Sequence, residues 1–322
     1  MSITFSCVIP CSAKDYESQN LKDLITSIKA QDFPQDQIEI LVMGTEYGDS
    51  EQAKAAGIRQ AKGDFCVMLC ADNFILNKYL FRFVYDSALV NRLATGFYSK
   101  FYSYVKNDNS LNRYFSLIGN NDPIAFYLGK ADRKPCYDVD WDEGFTYLSF
   151  RNGIKESFGD NGFFIRRSDL LIEEEGLNHY YPMDICVDMA KRGNNRWMRF
   201  NADFIWHRTS DNLFTFLRKR YRYARDLYCD RTDRRWKMFG GPEDYCRGVF
   251  FVASAITIIP CLFISIRGFL KVKDWAWFWH WPVCLGFLIT YTLLAFRNFF
   301  RYGRLFQCAQ ASSSLRLTVP SV

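Results

Sequence analysis

The chain has 322 residues, of which 49% are hydrophobic and 24% charged. That balance excludes a disordered, collagen-like or small disulfide-stapled protein and allows one large domain or two smaller ones. A formal net charge of +6, from 41 Lys+Arg against 35 Asp+Glu, is too mild to imply a nucleic-acid partner.

Met1 to Tyr16 holds neither a basic leader nor a long apolar run, so no signal peptide is expected. Ile3 to Pro10 is short, apolar and ends at a proline, which predicts a buried strand. Leu21, Leu24, Ile25 and Ile28 recur at helical spacing. Ile38 to Met43 predicts a second strand, Glu51 to Ala61 an Ala-rich helix, and Phe65 to Leu69 a third strand. Strand, helix, strand, helix, strand implies right-handed crossovers and a parallel sheet. Ligands of such α/β sheets bind at the carboxyl ends of the strands, here the loops after Pro10, Met43 and Leu69. From about Phe81 to Asp142 the pattern blurs. It resumes at Gly159 with GDNGFFIRRSDLL, then YYPMDICVDMAKRG, then a strand-like run from Phe200 to Trp206 that ends at His207.

Arg218 to Arg235 is basic and interleaved with aromatics. Two uncharged apolar stretches follow, Gly248 to Ile266 and Trp275 to Phe296. Each approaches the roughly 20 residues a bilayer span needs, and the second opens on four Trp, as at a membrane–water boundary. Pro260 and Pro282 are tolerated in spans. The short link at 267–274 predicts a transmembrane helical hairpin; the bland alternative is two buried core helices. Arg218 to Arg247 before it and Arg297, Arg301 and Arg304 after it favour a cytosolic placement of both ends, although Arg267, Lys271 and Lys273 in the link oppose this. The expected organisation is a sheet domain over 1–240, two spans within 241–304 and a tail over 305–322. Eleven cysteines without a C-x-x-C pair fit a reducing compartment, and three histidines exclude a multi-histidine metal site.

The first stretch, CVIPCSAKDYESQNLKDLITSIKAQDFPQDQIEILV, together with GIRQAKGDFCVMLCADNFIL, GDNGFFIRRSDLL and MDICVDMAKRG, resembles the inverting family 2 glycosyltransferases of the GT-A fold over roughly residues 3–225. The resemblance implies a Rossmann-like, mostly parallel sheet. It also implies transfer of a sugar, with inversion, from a nucleotide-sugar donor; the two apolar stretches and their flanking arginines add the expectation of a lipid-linked or cell-envelope glycan acceptor and of an inner-membrane enzyme whose catalytic domain is cytosolic. Pro10, Ser12, Lys62 and Asp64 would hold the donor. The family's base-contacting Asp falls on Gly44 or Thr45, with Glu46 or Asp49 as substitutes. The D-x-D segment reads Cys70-Ala71-Asp72, which leaves Asp72, with His207, to hold a divalent cation (Mg or Mn). The E-D pair reads Met183-Asp184, so Asp184 is the expected general base and Asp188, on the same helix face, the substitute. Asp160, Asn161 and Gly162 would line the acceptor side, or merely turn the chain. Arg218 and Arg220 would meet diphosphate or an anionic lipid head. The replaced carboxylates also permit a second reading, a non-catalytic domain that binds a nucleotide sugar or a protein partner.

Overall fold

A computed structural model describes residues 4–138, 144–147, 157–170, 178–226, 236 and 238–302. Ile3, Arg304, the tail over 305–322 and the basic stretch over 227–235 lie outside the described residues.

Strand β1 (Phe5–Pro10) is buried along its whole length, as a strand paired on both edges and covered on both faces must be. It pairs in parallel with β2 (Ile38–Met43) and β3 (Phe65–Met68). Helices α1 (Gln19–Lys29) and α2 (Ser50–Gln60) make the two crossovers. Side chains alternate across the pleat. Phe5, Cys7 and Ile9 pack under α1 and α3 (Leu80–Val90), while Val8 packs under α2 on the opposite face. The opening βαβαβ unit therefore forms as its local periodicity predicts.

The rest of the sheet departs from the mostly parallel expectation. Its order is β2-β1-β3-β7-β5-β8-β4, with β6 paired to β8. Strand β4 is Asn73–Ile75, β5 is Gly96–Tyr102, β6 is Gly144–Tyr147, β7 is Phe163–Arg166 and β8 is Arg196–His207. Strand β7 enters antiparallel between β3 and β5, and both β4 and β6 run antiparallel to β8. Only β5 and β8 add a further parallel pair. The sheet is thus mixed, with the parallel βαβαβ unit at one side and antiparallel pairs beyond β3. Strand β5 lies inside the stretch whose pattern blurs in the sequence.

Helix α6 (Arg167–Leu170) and α7 (Pro182–Lys191) cover the α2 face of the sheet. A separate apolar cluster joins α4 (Ser110–Ile118) and α5 (Pro123–Tyr127) to α8 (Leu213–Ala224) and to the carboxyl-terminal helices. It crosses position 240, since Tyr114, Phe115 and Tyr127 pack with Phe251, Trp277 and Phe287.

The two expected spans differ from each other. The first stretch is broken into α9 (Pro242–Thr257) and α10 (Ile259–Lys271), bent by 88°. Ile258 sits at the break with φ +68, a conformation that a β-branched residue rarely takes. Pro260, next but one, supplies no N–H and disfavours the helical conformation of the residue before it. The second stretch is α11 (His280–Tyr302), preceded by a 3₁₀ turn at Trp275–Trp279. Among the described residues one helix, Trp275–Arg301, is long and apolar enough to cross a membrane, or up to two if the bent pair counts as one span. A simple hairpin of straight helices is not what forms. Pro282 lies in the first turn of α11, where no backbone donor is needed.

Candidate active site

The carboxyl ends of β1, β2 and β3 open on a cavity of about 720 Å³. Pro10, Cys11 and Ser12 line it from β1, Gly44 and Thr45 from β2, and Cys70 to Asp72 from β3. The first residues of α2, Asp49 and Ser50, also face it, so a helix amino terminus points at the space where an anion would sit. Arg208 and Lys219 close the other side.

A second cavity of about 310 Å³ adjoins the first. Cys70 and Asp72 line both. Asp122, Asp132, Asp160, His207 and Arg220 complete its charged wall. Asp72 is therefore the carboxylate at the junction.

The register of β4 on β8 creates that junction. Asn73 pairs with His207 and Phe74 with Trp206, and the Arg208 amide donates to the Asp72 carbonyl at 2.8 Å. These bonds bring His207 Nε2 to 3.5 Å from Asp72 Oδ1. Burial alone would raise the Asp72 carboxyl, but the adjacent His207 outweighs it and holds the group below its ordinary value. Burial would lower His207; the Asp72 charge outweighs that and raises it. Asp72 Oδ1 is buried without a hydrogen-bond partner, a costly state for a carboxylate oxygen. An oxygen and an imidazole nitrogen at this spacing are a donor pair that suits Mn²⁺ or Mg²⁺. The residues present thus fit a divalent cation.

Lys54 of α2 is 2% exposed and reaches Asp160 Oδ2 at 2.9 Å and Glu51 at 3.6 Å. Burial would lower this ammonium, but Asp160 and Glu51 outweigh it and hold it well above its ordinary value. Asp160 Oδ1 accepts from the Asn161 amide at 3.1 Å. The Tyr102 hydroxyl donates to Asp132 at 2.5 Å. Arg133, stacked over Phe163, donates to the Asn161 carbonyl at 2.9 Å. Burial pushes the Cys70 thiol well up, and Asp160 adds to the effect. The residue at the first D-x-D position is therefore a thiol that stays protonated where no cation lies beside it.

The expected site residues divide sharply. Pro10, Ser12, Asp49 and Asp72 face the larger cavity, and Asp72, Asp160, Asn161, His207 and Arg220 the smaller. Asp49 is occupied as the cap of α2, accepting from the Glu51 and Gln52 amides. Gly162 lines neither cavity. Its φ of +85 makes the turn into β7, and a Cβ there would lie 2.4 Å from Ile205.

Six further expected site residues lie away from both cavities. Lys62 and Asp64 precede β3, at the opposite end of the sheet from the cavity; the Lys62 amide donates to Glu39 and Asp64 accepts from the Thr4 amide. Glu46 is exposed on the 3₁₀ turn Thr45–Tyr47 and lines neither cavity. Arg218 is exposed and faces neither space, whereas Lys219, one step around the helix, lines the larger one; Arg220 is ion-paired with Asp122. Asp184 is fully buried and accepts from the Trp236 amide at 2.7 Å, while its neighbours Pro182 and Met183 line the smaller cavity. Asp188 lies near Lys191 and lines neither cavity. The helix phase of α7 turns both carboxylates away from the cleft.

Sequence reasoning missed Lys54, Asp132, Arg208 and Lys219. Lys219 sits in a basic run where only helix phase singles it out. Lys54 was legible as a lysine within an Ala-rich helix. Asp132 had no sequence signal.

No protein-family model matches the chain, and no curated protein matches it. Solved structures do. S. aureus TarS 1–349 in complex with UDP is 13% identical, with 63% of this chain and 60% of that chain aligned and a TM-score of 0.40; this chain thus spans less than two thirds of that one. Mannosyltransferase PcManGT from Pyrobaculum calidifontis, in complex with GDP-Man and Mn²⁺, is 12% identical over 92% of this chain and 87% of that one, with a TM-score of 0.47. Glucosyl-3-phosphoglycerate synthase from Mycobacterium tuberculosis, with Mn²⁺ and UDP-glucose, is 13% identical over 70% and 78%, with a TM-score of 0.38. Likenesses this remote leave the reading of the site to its own chemistry.

Proposed function

We propose that the chain is an inverting GT-A glycosyltransferase. It would move a sugar from a nucleotide-sugar donor to a lipid-linked or cell-envelope glycan acceptor. The observation that carries this reading is the shared carboxylate: a large cavity at the strand ends and a smaller one meet at Asp72. The larger volume falls within the range of small-molecule sites, about 300–1,000 Å³. The sequence resemblance described above supports the same reading.

In this proposal the nucleoside diphosphate lies in the larger cavity, its charge met by Arg208, Lys219 and the amino end of α2. Asp72 and His207 would hold a divalent cation, which supplies charge neutralisation for the departing diphosphate. The acceptor hydroxyl enters from the smaller cavity. Its oxygen forms a bond to the anomeric carbon as the bond from that carbon to the diphosphate oxygen breaks. The diphosphate leaves with the electron pair and the configuration inverts. The hydroxyl proton passes to a carboxylate. Asp160 takes that role in place of Asp184, because it faces the smaller cavity and Asp184 does not. A membrane location is part of the proposal. Val249, Ile256, Ile259 and Phe263 on the bent pair and Ile289, Leu293 and Phe300 on α11 are exposed apolar side chains, more than a water-facing surface ordinarily carries. The flanking arginines support a cytosolic active site at the inner membrane.

The test uses the full chain in detergent with UDP- and GDP-sugars, with and without Mn²⁺. A ligand that binds only the folded state at about 100 times its Kd adds about 2.7 kcal/mol of stability. The expected result is a higher melting temperature with one donor class and sugar transfer to a lipid extract, both reduced in Asp72→Asn. Stabilisation without transfer or donor hydrolysis selects the non-catalytic binding reading, which the buried Asp184 favours. No stabilisation by any nucleotide overturns both.

A further inference from the structure

The amino ends of α10 and α11 meet the carboxyl end of α5 at residues that line neither cavity, although Ala125 of α5 lines the smaller one. There Cys261, His280 and Cys284 are completely buried, and their ligating atoms all lie within 4.8 Å of one another. His280 Nε2 is 3.8 Å from Cys284 Sγ. The Tyr127 hydroxyl fills a fourth corner, 3.3 Å from His280 Nε2 and 3.4 Å from Cys261 Sγ. Metal–ligand bonds of about 2.0–2.3 Å in a tetrahedron set ligand atoms roughly 3.3–3.8 Å apart, and the His280–Cys284, Tyr127–His280 and Tyr127–Cys261 separations fall on such edges.

The surroundings also suit a metal. Tyr114 Oη lies 2.8 Å from His280 Nδ1. With the Nδ1 proton donated to that oxygen, Nε2 presents its lone pair to the cluster, the outer contact by which ligating histidines are usually oriented. Two thiolates balance the charge of a divalent cation, so the filled site would be neutral within an apolar helix cluster formed by Phe251, Ala276, Trp277, Val283 and Phe287. The His-x-x-x-Cys pair shares one face of the first turn of α11, and Cys261 comes from α10.

We propose that Cys261, His280 and Cys284, with Tyr127 at the fourth corner, form a structural Zn²⁺ site that pins the bent helix pair to α11. On binding, both thiol protons leave and two sulfur–zinc bonds and one nitrogen–zinc bond form; nothing is oxidised or reduced. The donor set is soft enough for zinc and unlike the oxygen-rich set at Asp72.

The experiment measures the metal content of the full chain, purified in detergent with added Zn²⁺ and dialysed. About one tightly held Zn²⁺ per chain is expected. It should persist in an Asp72→Asn/His207→Gln double variant and be lost in Cys261→Ser and Cys284→Ser, while the exposed-cysteine control Cys246→Ser retains it. Should the cysteine variants fail to fold, Co²⁺ replaces Zn²⁺ in the unaltered chain. Intense tetrahedral absorption with thiolate-to-cobalt charge transfer supports the site, and the spectrum of cobalt bound by oxygen and nitrogen alone, or no bound cobalt, overturns it. A Cys261–Cys284 disulfide, two free thiols with no metal, or copper in preference to zinc also overturns it.

Discussion

Asp72 Oδ1 lies 3.5 Å from His207 Nε2, and it has no hydrogen-bond partner although it is buried. The pairing of β4 with β8 fixes that separation through the Asn73–His207 register. If the pair holds a cation, His207→Gln should weaken Mn²⁺-dependent donor binding by about 10–100-fold, the usual loss when a metal's protein shell is disturbed. Isothermal titration of nucleoside diphosphate with and without Mn²⁺ measures it. An unchanged Mn²⁺ dependence removes the histidine from the metal shell.

The same pair predicts a pH signature in chelator, where no metal competes. His207 is raised above its ordinary 6.5, so its contribution is complete below about that pH and fades as pH rises through the folded value. Asp72 is lowered from 3.8, so its contribution is present above that pH and is lost as pH falls further. The pair therefore stabilises most strongly between these limits. Asp72 keeps part of its surface in water, so the effect should be about 1 kcal/mol, or roughly 2 °C for a chain of this size. The melting-temperature gap between the protein and its His207→Gln variant should be widest near pH 5–6 and close above neutrality. A gap that widens with pH contradicts the pairing.

Lys54 holds two carboxylates at once, Asp160 at 2.9 Å and Glu51 at 3.6 Å. Lys54→Met keeps most of the side-chain volume but leaves both acids without their counter-charge. Removing one partner of a buried pair costs about 3–5 kcal/mol; the partial exposure of Asp160 places the expected loss at about 3. Chemical denaturation checks it. A Lys54→Met/Asp160→Asn double variant should recover part of the loss, and a purely additive result would show that the two side chains do not interact.

Asp184 separates two roles cleanly. Its Oδ1 accepts from the Trp236 amide, and an asparagine carbonyl oxygen can accept there too. Asp184→Asn should therefore keep activity within a few-fold, whereas Asp184→Ala should lose about 1–3 kcal/mol of stability by leaving a buried donor unpaired. Asp160→Asn, by contrast, should lower turnover by about 10²–10⁴-fold with donor affinity retained. Inactive but fully stable Asp184→Asn protein would return the base to α7.

The opening strands were legible because each side chain there answers to its neighbours in sequence. Phe65–Met68 is a continuous apolar run buried along its length, as such runs require, and Ile38–Met43, apolar apart from Glu39, is the half-buried edge strand beside β1. Strand β5 was not legible: Gly96–Tyr102 mixes Ser99 and Lys100 into a strand that tertiary contacts bury on both sides, and context overrode local preference. The Pro260 break was visible as a proline, but the 88° bend at Ile258, with its φ of +68, was not.

By itself the sequence determined the βαβαβ unit, the edge of the sheet where a ligand would bind, and the two apolar stretches near the carboxyl end, all of them consequences of spacing within about twenty residues. The tertiary structure decided which acids share a cavity, because the register of β4 on β8 and the phase of α7 brought Asp72 beside His207 and turned Asp184 inward. It also gathered Cys261, His280 and Cys284 from two helix ends: side-chain convergence across distant segments is a property of packing, which no local pattern encodes.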